Sequence, residues 1–152
     1  MAGYGVLPPE EGTGLLPWSW AVGRLVRSHD YWVATARAAG PPSVTPVWGV
    51  YLDGELWFSC SPSSRKARNL RGNPAVTVTT DNPKEPVILE GVARLSTDRD
   101  EVQALTDAMN AKYEYQSPFE FFWENDSWRV TPTTVFGLIE ADFTGSPTRW
   151  RF

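Results

Sequence analysis

Five runs of β-branched and aromatic residues, YWVATARAA, SVTPVWGVYL, ELWFSCS, AVTVTT and VILEGVARLS, follow one another between residues 31 and 96. Runs of this kind, bounded by Gly, Pro, Asn and Asp, are strands, and Asp53-Gly54 between the second and third is the signal of a tight hairpin. Such a chain must build an antiparallel meander. WRVTPTTVFGLIEADF and the terminal TRWRF supply closing strands. Helical spacing occurs in two places. Trp18, Ala21, Val22, Leu25 and Val26 predict a short amphipathic helix ending near Arg27, and Val102, Leu105, Met109 and Tyr113 predict a second, with Asp98 and Glu101 at its start. Strands that outnumber helices and are joined by hairpins predict a mainly β fold, a β-barrel with peripheral helices.

The chain of 152 residues is long enough for one domain to bury a core without metal or disulfide staples. The Gly- and Pro-rich residues 1–17 read as an extended or mobile arm, and residues 18–152 as the single domain. One cysteine, Cys60, excludes an intrachain disulfide and a multi-cysteine metal site and fits a reducing, cytoplasmic setting. No basic segment followed by an apolar run opens the chain, and no stretch approaches membrane-spanning length. A formal net charge of -4 argues against a nucleic-acid partner.

Against that acidic balance, SCSPSSRKARNLRGNP gathers Arg65, Lys66, Arg68 and Arg71 with no acid among them. Pro62 before and Gly72-Asn73-Pro74 after bracket a helix of two turns, capped by Ser63 or Ser64, so Arg65 and Lys66 fall in its first turn. The macrodipole makes that end positive, and an exposed cation there costs roughly 0.3–1 kcal/mol. The spacing leaves two readings open: a solvated basic face, or an anion site in which backbone N–H groups, serine hydroxyls, a guanidinium and an ammonium converge on a phosphate. A Gly-rich Walker loop is absent.

TPVWGVYLDGELWFSC, then SSRKARNLRGNPAVTV, then ILEGVARLS, with TRWRF at the end, resembles the pyridoxamine 5'-phosphate oxidase-like family of FMN-binding split β-barrels over residues 18–152. The resemblance implies a flavin cofactor, FMN first, whose phosphate is held by Ser64, Arg65 and Lys66. It implies that Ser59, Cys60 and Ser61 meet the ribityl chain and ring, and that the flavin edge lies along Thr45, Pro46, Val47 and Trp48. It also implies a homodimer with the cofactor at the interface, where Arg151 of one chain completes the other's site, and a two-electron oxidoreductase acting on a small molecule. The same pattern resembles deazaflavin-dependent reductases, which makes coenzyme F-420 the alternative cofactor; a non-enzymatic flavin- or haem-binding protein is the remaining class. True B6 oxidases carry an R-x-H-D-R pattern where this chain reads Arg149-Trp150-Arg151, and a glutamine near the position of Pro86, so a B6 substrate is not expected.

Several residues carry a plainer expectation. Trp48 on a strand reads first as core, Cys60 as a small lining residue, Glu90 as solvent-facing, and the single histidine, His29, as a helix C-terminal cap. The rings of SPFEFFWENDSW are expected to pack, with one or two of them forming a wall of the site.

Overall fold

The computed structural model describes residues 5–11 and 14–152; the expected N-terminal arm therefore lies partly outside the described residues. Helix α1 (Trp18–Arg27) leads into strands β1 (Asp30–Thr35), β2 (Ser43–Leu52) and β3 (Glu55–Cys60), then helix α2 (Arg65–Gly72), strands β4 (Ala75–Thr80) and β5 (Val87–Leu95), helices α3 (Arg99–Tyr113) and α4 (Phe119–Glu124), and strands β6 (Asp126–Gly137) and β7 (Thr148–Arg151). The strands run in the order β3-β2-β1-β4-β5-β6-β7, and a further pairing of β3 with β6 closes β1–β6 into a six-stranded antiparallel barrel with β7 outside it. This is a split β-barrel with peripheral helices.

Local chemistry explains the joints. Asp53 and Gly54 take φ of 51° and 84°, the left-handed pair that a two-residue hairpin needs and that Gly adopts without strain. Asp98 caps α3 by accepting from the backbone N–H of Asp100 and Glu101. The Glu101 side chain does not return to the cap; it accepts from Ser96 Oγ at 2.6 Å and from Arg129 at 2.6 Å.

β3 is buried on both faces, which is why ELWFSC shows no alternation. Leu56 and Phe58 join Tyr31, Val33, Val78, Leu89 and Val130 in the barrel core, whereas Trp57 joins Val50, Val102, Leu105, Met109 and Phe122 in a second cluster with α3 and α4. α3 and α4 thereby cover the outside of β2 and β3.

The split has a specific origin. β2 stays with β3 only from Gly49 opposite Phe58 to Leu52 opposite Glu55. Beyond that point the end of β3 stays with β6, Ser59 opposite Ser127 and Cys60 opposite Asp126. Residues Ser43 to Trp48 of β2 remain paired with β1 and have no strand partner on their other side among the described residues. The opening between these two diverging strands is where α2 begins.

Candidate functional site

α2 is held by its far face and its C-terminal half. Ala67 and Leu70 are buried, Asn69 Nδ2 donates to Thr35 Oγ1 at 3.0 Å, and Arg71 donates to Asp126 Oδ2 at 2.6 Å and to the Pro62 carbonyl at 2.9 Å. Ser64 is the N-cap; its Oγ accepts from Ala67 N–H at 3.2 Å. Of the four cations in this stretch Arg71 alone has an ion pair, while Arg65, Lys66 and Arg68 form none among the described residues, and no acid stands in the first turn. The first turn therefore keeps its positive field uncompensated.

That turn opens onto a cleft of about 780 Å³. Pro46, Val47, Trp48, Ser59, Cys60, Ser61, Ser64 and Lys66 all line it, so the structure brings together most of the residues expected at a cofactor site. Three expected residues are not in the lining. Thr45 lies one residue before Pro46, Arg65 is exposed on α2, and Arg151 is exposed on β7 opposite Thr134. Among the described residues Lys66 is the one charged residue in the lining.

The chemistry of this wall fits an anion with a polar tether. The hydroxyls of Ser59 and Thr45 are buried and have no hydrogen-bond partner among the described residues, and buried groups left this way ask for one. Ser61 Oγ and Ser63 Oγ lie 2.9 Å apart beside the helix start. Burial pushes the Cys60 thiol up, with the Asp126 charge adding to it and hydrogen bonding to Ser64 and the Lys66 charge only partly offsetting it; a thiol held protonated in this way is a lining residue.

The opposite wall is aromatic and comes from Met109 on α3, Tyr115 to Pro118 in the loop, and Phe121 and Phe122 on α4. The sequence signalled Phe121 and Phe122 through their density of rings; Tyr115 and Gln116 carried no signal, because only the turn after α3 aims them here. Trp48 is not core. It is 46% exposed and stacks on Tyr113 with ring centroids 4.3 Å apart and planes 7° from parallel.

Tyr113 is itself fixed. Its hydroxyl accepts from Gly49 N–H at 2.8 Å and donates to the His29 carbonyl at 2.5 Å. Lys112 Nζ donates to the Gly49 carbonyl at 2.8 Å and to Tyr31 Oη at 2.9 Å, and the Tyr31 hydroxyl donates to the Leu25 carbonyl. Burial pushes Lys112 down to about 8, against the opposing pull of Asp81 and Asp30. Burial likewise pushes the Tyr113 hydroxyl up to about 12. His29 does not cap α1: its Nδ1 lies 3.0 Å from Asp30 Oδ2, and its ring stands edge-on to Tyr113 and Trp48, because Ser28 ends the helix and β1 begins at once. Glu90 is exposed beside a bulge where Gly91 meets Pro132, and Gly91 is required there, since a Cβ would lie 2.3 Å from the Thr131 carbonyl oxygen.

The fold is thus a split barrel whose cleft joins an uncompensated helix start to an aromatic wall. Residues 24–138 match the family described as pyridoxamine 5'-phosphate oxidase, and the chain belongs to that split-barrel family. No curated protein matches the sequence. Among solved structures it is similar to a conserved hypothetical protein of Mycobacterium tuberculosis (20% identity, TM-score 0.71, covering 79% of this chain and 82% of that one). It is also similar to an F420 reductase (25% identity, TM-score 0.62, 74% and 93%) and to an FAD-binding protein of Mesorhizobium loti (19% identity, TM-score 0.66, 79% and 92%). Among the described residues no helix is long and apolar enough to cross a membrane, and no cluster of His, Cys, Asp and Glu is arranged to hold a metal ion.

Proposed function

We propose that the protein binds a flavin-type cofactor, FMN in the first instance, and is an oxidoreductase that acts on a small molecule. The observation that carries this is the convergence of Lys66, Ser64 and the α2 start with the unpartnered Ser59 hydroxyl in one cleft. Ser64 and Lys66 would hold the phosphate, with Arg65 screening it from the surface. Ser59, Cys60 and Ser61 would meet the tether, and Thr45 to Trp48, on an open strand edge, would meet the ring. A bound flavin supplies the two-electron chemistry; the protein supplies binding, orientation and electrostatics. Coenzyme F-420 is the second reading, favoured by the likeness to an F420 reductase over 93% of that chain.

A homodimer is supported by large apolar residues left exposed on β1, β2 and β5: Trp32, Val44 and Val92 stand at 44%, 55% and 47%. Arg151 is exposed and outside the cleft of its own chain, and in this reading it would serve a partner's. Pyridoxamine phosphate is not the substrate in this reading. Arg149 and Arg151 on β7 lack the histidine and aspartate that the resemblance places there to hold a B6 vitamer.

The test is the absorption spectrum of the purified protein, followed by fluorescence titration with FMN and with F-420. Saturable binding of one of them is expected, together with little pyridoxal phosphate formed under air. Failure of both cofactors to bind would overturn the reading.

A further inference from the structure

The turn that carries the phosphate end of the cleft is pinned from behind, by residues outside the lining. Residues 61–64 join β3 to α2, and Ser64 N–H donates to the Ser61 carbonyl at 2.9 Å. Ala67 and Leu70 bury the inner face of α2, but apolar burial is non-directional and leaves the attitude of the turn open. Hydrogen bonds must set it. Arg71 supplies two from one guanidinium: Nη2 donates to Asp126 Oδ2 at 2.6 Å, and Nη1 reaches back nine residues to the Pro62 carbonyl at 2.9 Å. Asp126 enters a second time, because its backbone lies opposite Cys60 where β3 ends on β6. The strand end before the turn and the carbonyl inside it are thus both referred to one buried residue.

We infer that Arg71 and Asp126 are positioning residues for the anion end: they hold the turn at 61–64 so that its hydroxyls and the first N–H groups of α2 converge, and thereby set the preference for a phosphorylated cofactor over the corresponding alcohol; this rests on the cofactor reading above. Lys66 would touch the phosphate, whereas Arg71 would act on it only through Pro62. A guanidinium suits the task, since its fork fixes a carboxylate and a carbonyl at one angle, which an ammonium does not. Fold stability does not explain the pair. The Arg71 side chain is 43% exposed, and replacing a paired charge and its partner together by apolar residues is often neutral. Alignment does explain it, because binding groups work only when held to within about 0.5 Å by the bonds behind them.

The probes are FMN and riboflavin, which differ by the phosphate alone, titrated by flavin fluorescence into the full-length wild type, Arg71→Met and Arg71→Met/Asp126→Leu. In a protein that takes F-420 instead, the pair is F-420 and the same deazaflavin ending in its ribityl alcohol. Wild type should prefer the phosphorylated probe. Arg71→Met leaves Asp126 buried without its partner and should lose stability; the double variant should recover it, read as the urea midpoint. Neither should recover FMN: both are expected to raise its Kd by about tenfold, the misalignment of one charge-assisted contact, with riboflavin affinity unchanged. Without cofactor, amide exchange of Ser64 and Ala67, whose N–H groups bond within the turn, should quicken in the double variant, while that of Val78 and Val130 in the barrel core stays as in wild type. Recovery of FMN affinity together with stability, or an equal loss of FMN and riboflavin, would make the pair merely structural and overturn the inference while leaving the cofactor reading intact. Unaltered exchange at Ser64 and Ala67 would overturn it as well. A wild type that binds neither flavin nor F-420, in a protein whose double variant shows the quickened exchange, would fail the cofactor reading and the phosphate preference with it, and keep the clamp on the turn.

Discussion

Lys66, in the first turn of α2, and Lys112, in the last turn of α3, sit in opposite helix fields. The ammonium of Lys112 meets the negative end of its helix and donates to the Gly49 carbonyl and the Tyr31 hydroxyl. Its position is explained by the fold: it anchors β2 at the residue where β3 departs. Lys66 has the wrong end of its helix and no carboxylate, and its ammonium faces a cleft. A cation the fold uses is hydrogen-bonded by the fold, and one that the fold does not use points to a ligand.

The contrast is broken most severely at Gly49, on which the Lys112 anchor depends. A Cβ there would lie 2.7 Å from the Trp57 carbonyl oxygen and 3.1 Å from the Tyr31 ring. Backbone cannot yield to it, so Gly49→Ala should lower stability by about 3 kcal/mol, read as a lower urea midpoint. An unchanged midpoint would show that the β2–β3 divergence is looser than described.

Lys66→Ala and Lys112→Met then separate the two roles. The first should raise the dissociation constant for FMN by about tenfold to a hundredfold, the loss of one charge-assisted contact, at unchanged melting temperature. The second should cost about 1–2 kcal/mol of stability through its two lost hydrogen bonds and move FMN affinity less. Arg65→Ala should fall below Lys66→Ala in its effect on FMN, because Arg65 is exposed and outside the cleft lining. If Lys112→Met loses cofactor and keeps its stability, the roles are interchanged.

The Lys66 side was legible in the sequence because its signals are local. Pro62, the capping serine, the cation run and Gly72-Asn73-Pro74 all lie within one segment, and Ser64 caps as its position requires. The hairpin at Asp53-Gly54 and the cap at Asp98 were legible for the same reason. The Lys112 side was not. Lys112 and Tyr113 read as the end of an amphipathic helix, and nothing near them announces Gly49, His29 or Trp48 as partners; closure of β3 on β6 brings these elements together. α4 was also illegible, since six residues, four of them rings, are too few to show a period. Trp48 and His29 were misjudged through propensity alone: a strand tryptophan is usually core and a histidine after a helix usually a cap, and here each packs against Tyr113.

The smallest effect expected is a pH dependence that belongs to Lys112 and not to Lys66. Burial holds Lys112 at about 8, below the 10.5 of an unfolded lysine, so between these values the unfolded chain binds the extra proton. Stability must then rise with pH across that window. The groups facing Lys112 set the limits: the Asp81 carboxyl, held against burial below its ordinary value by hydrogen bonds from Ser28 and the backbone, stays ionised throughout, while the raised Tyr31 and Tyr113 hydroxyls make stability fall once unfolded tyrosine ionises above about pH 10. Deprotonated Lys112 keeps two N–H donors, enough for both the Gly49 carbonyl and Tyr31, so the anchor survives the loss of charge. Wild type should therefore gain stability from pH 8 toward pH 10, and Lys112→Met should lack that rise, so that its penalty grows with pH. Lys66→Ala should retain it. Parallel urea titrations at pH 7 and 9.5 check this, and identical pH dependence in wild type and Lys112→Met would show that the buried ammonium carries no desolvation cost.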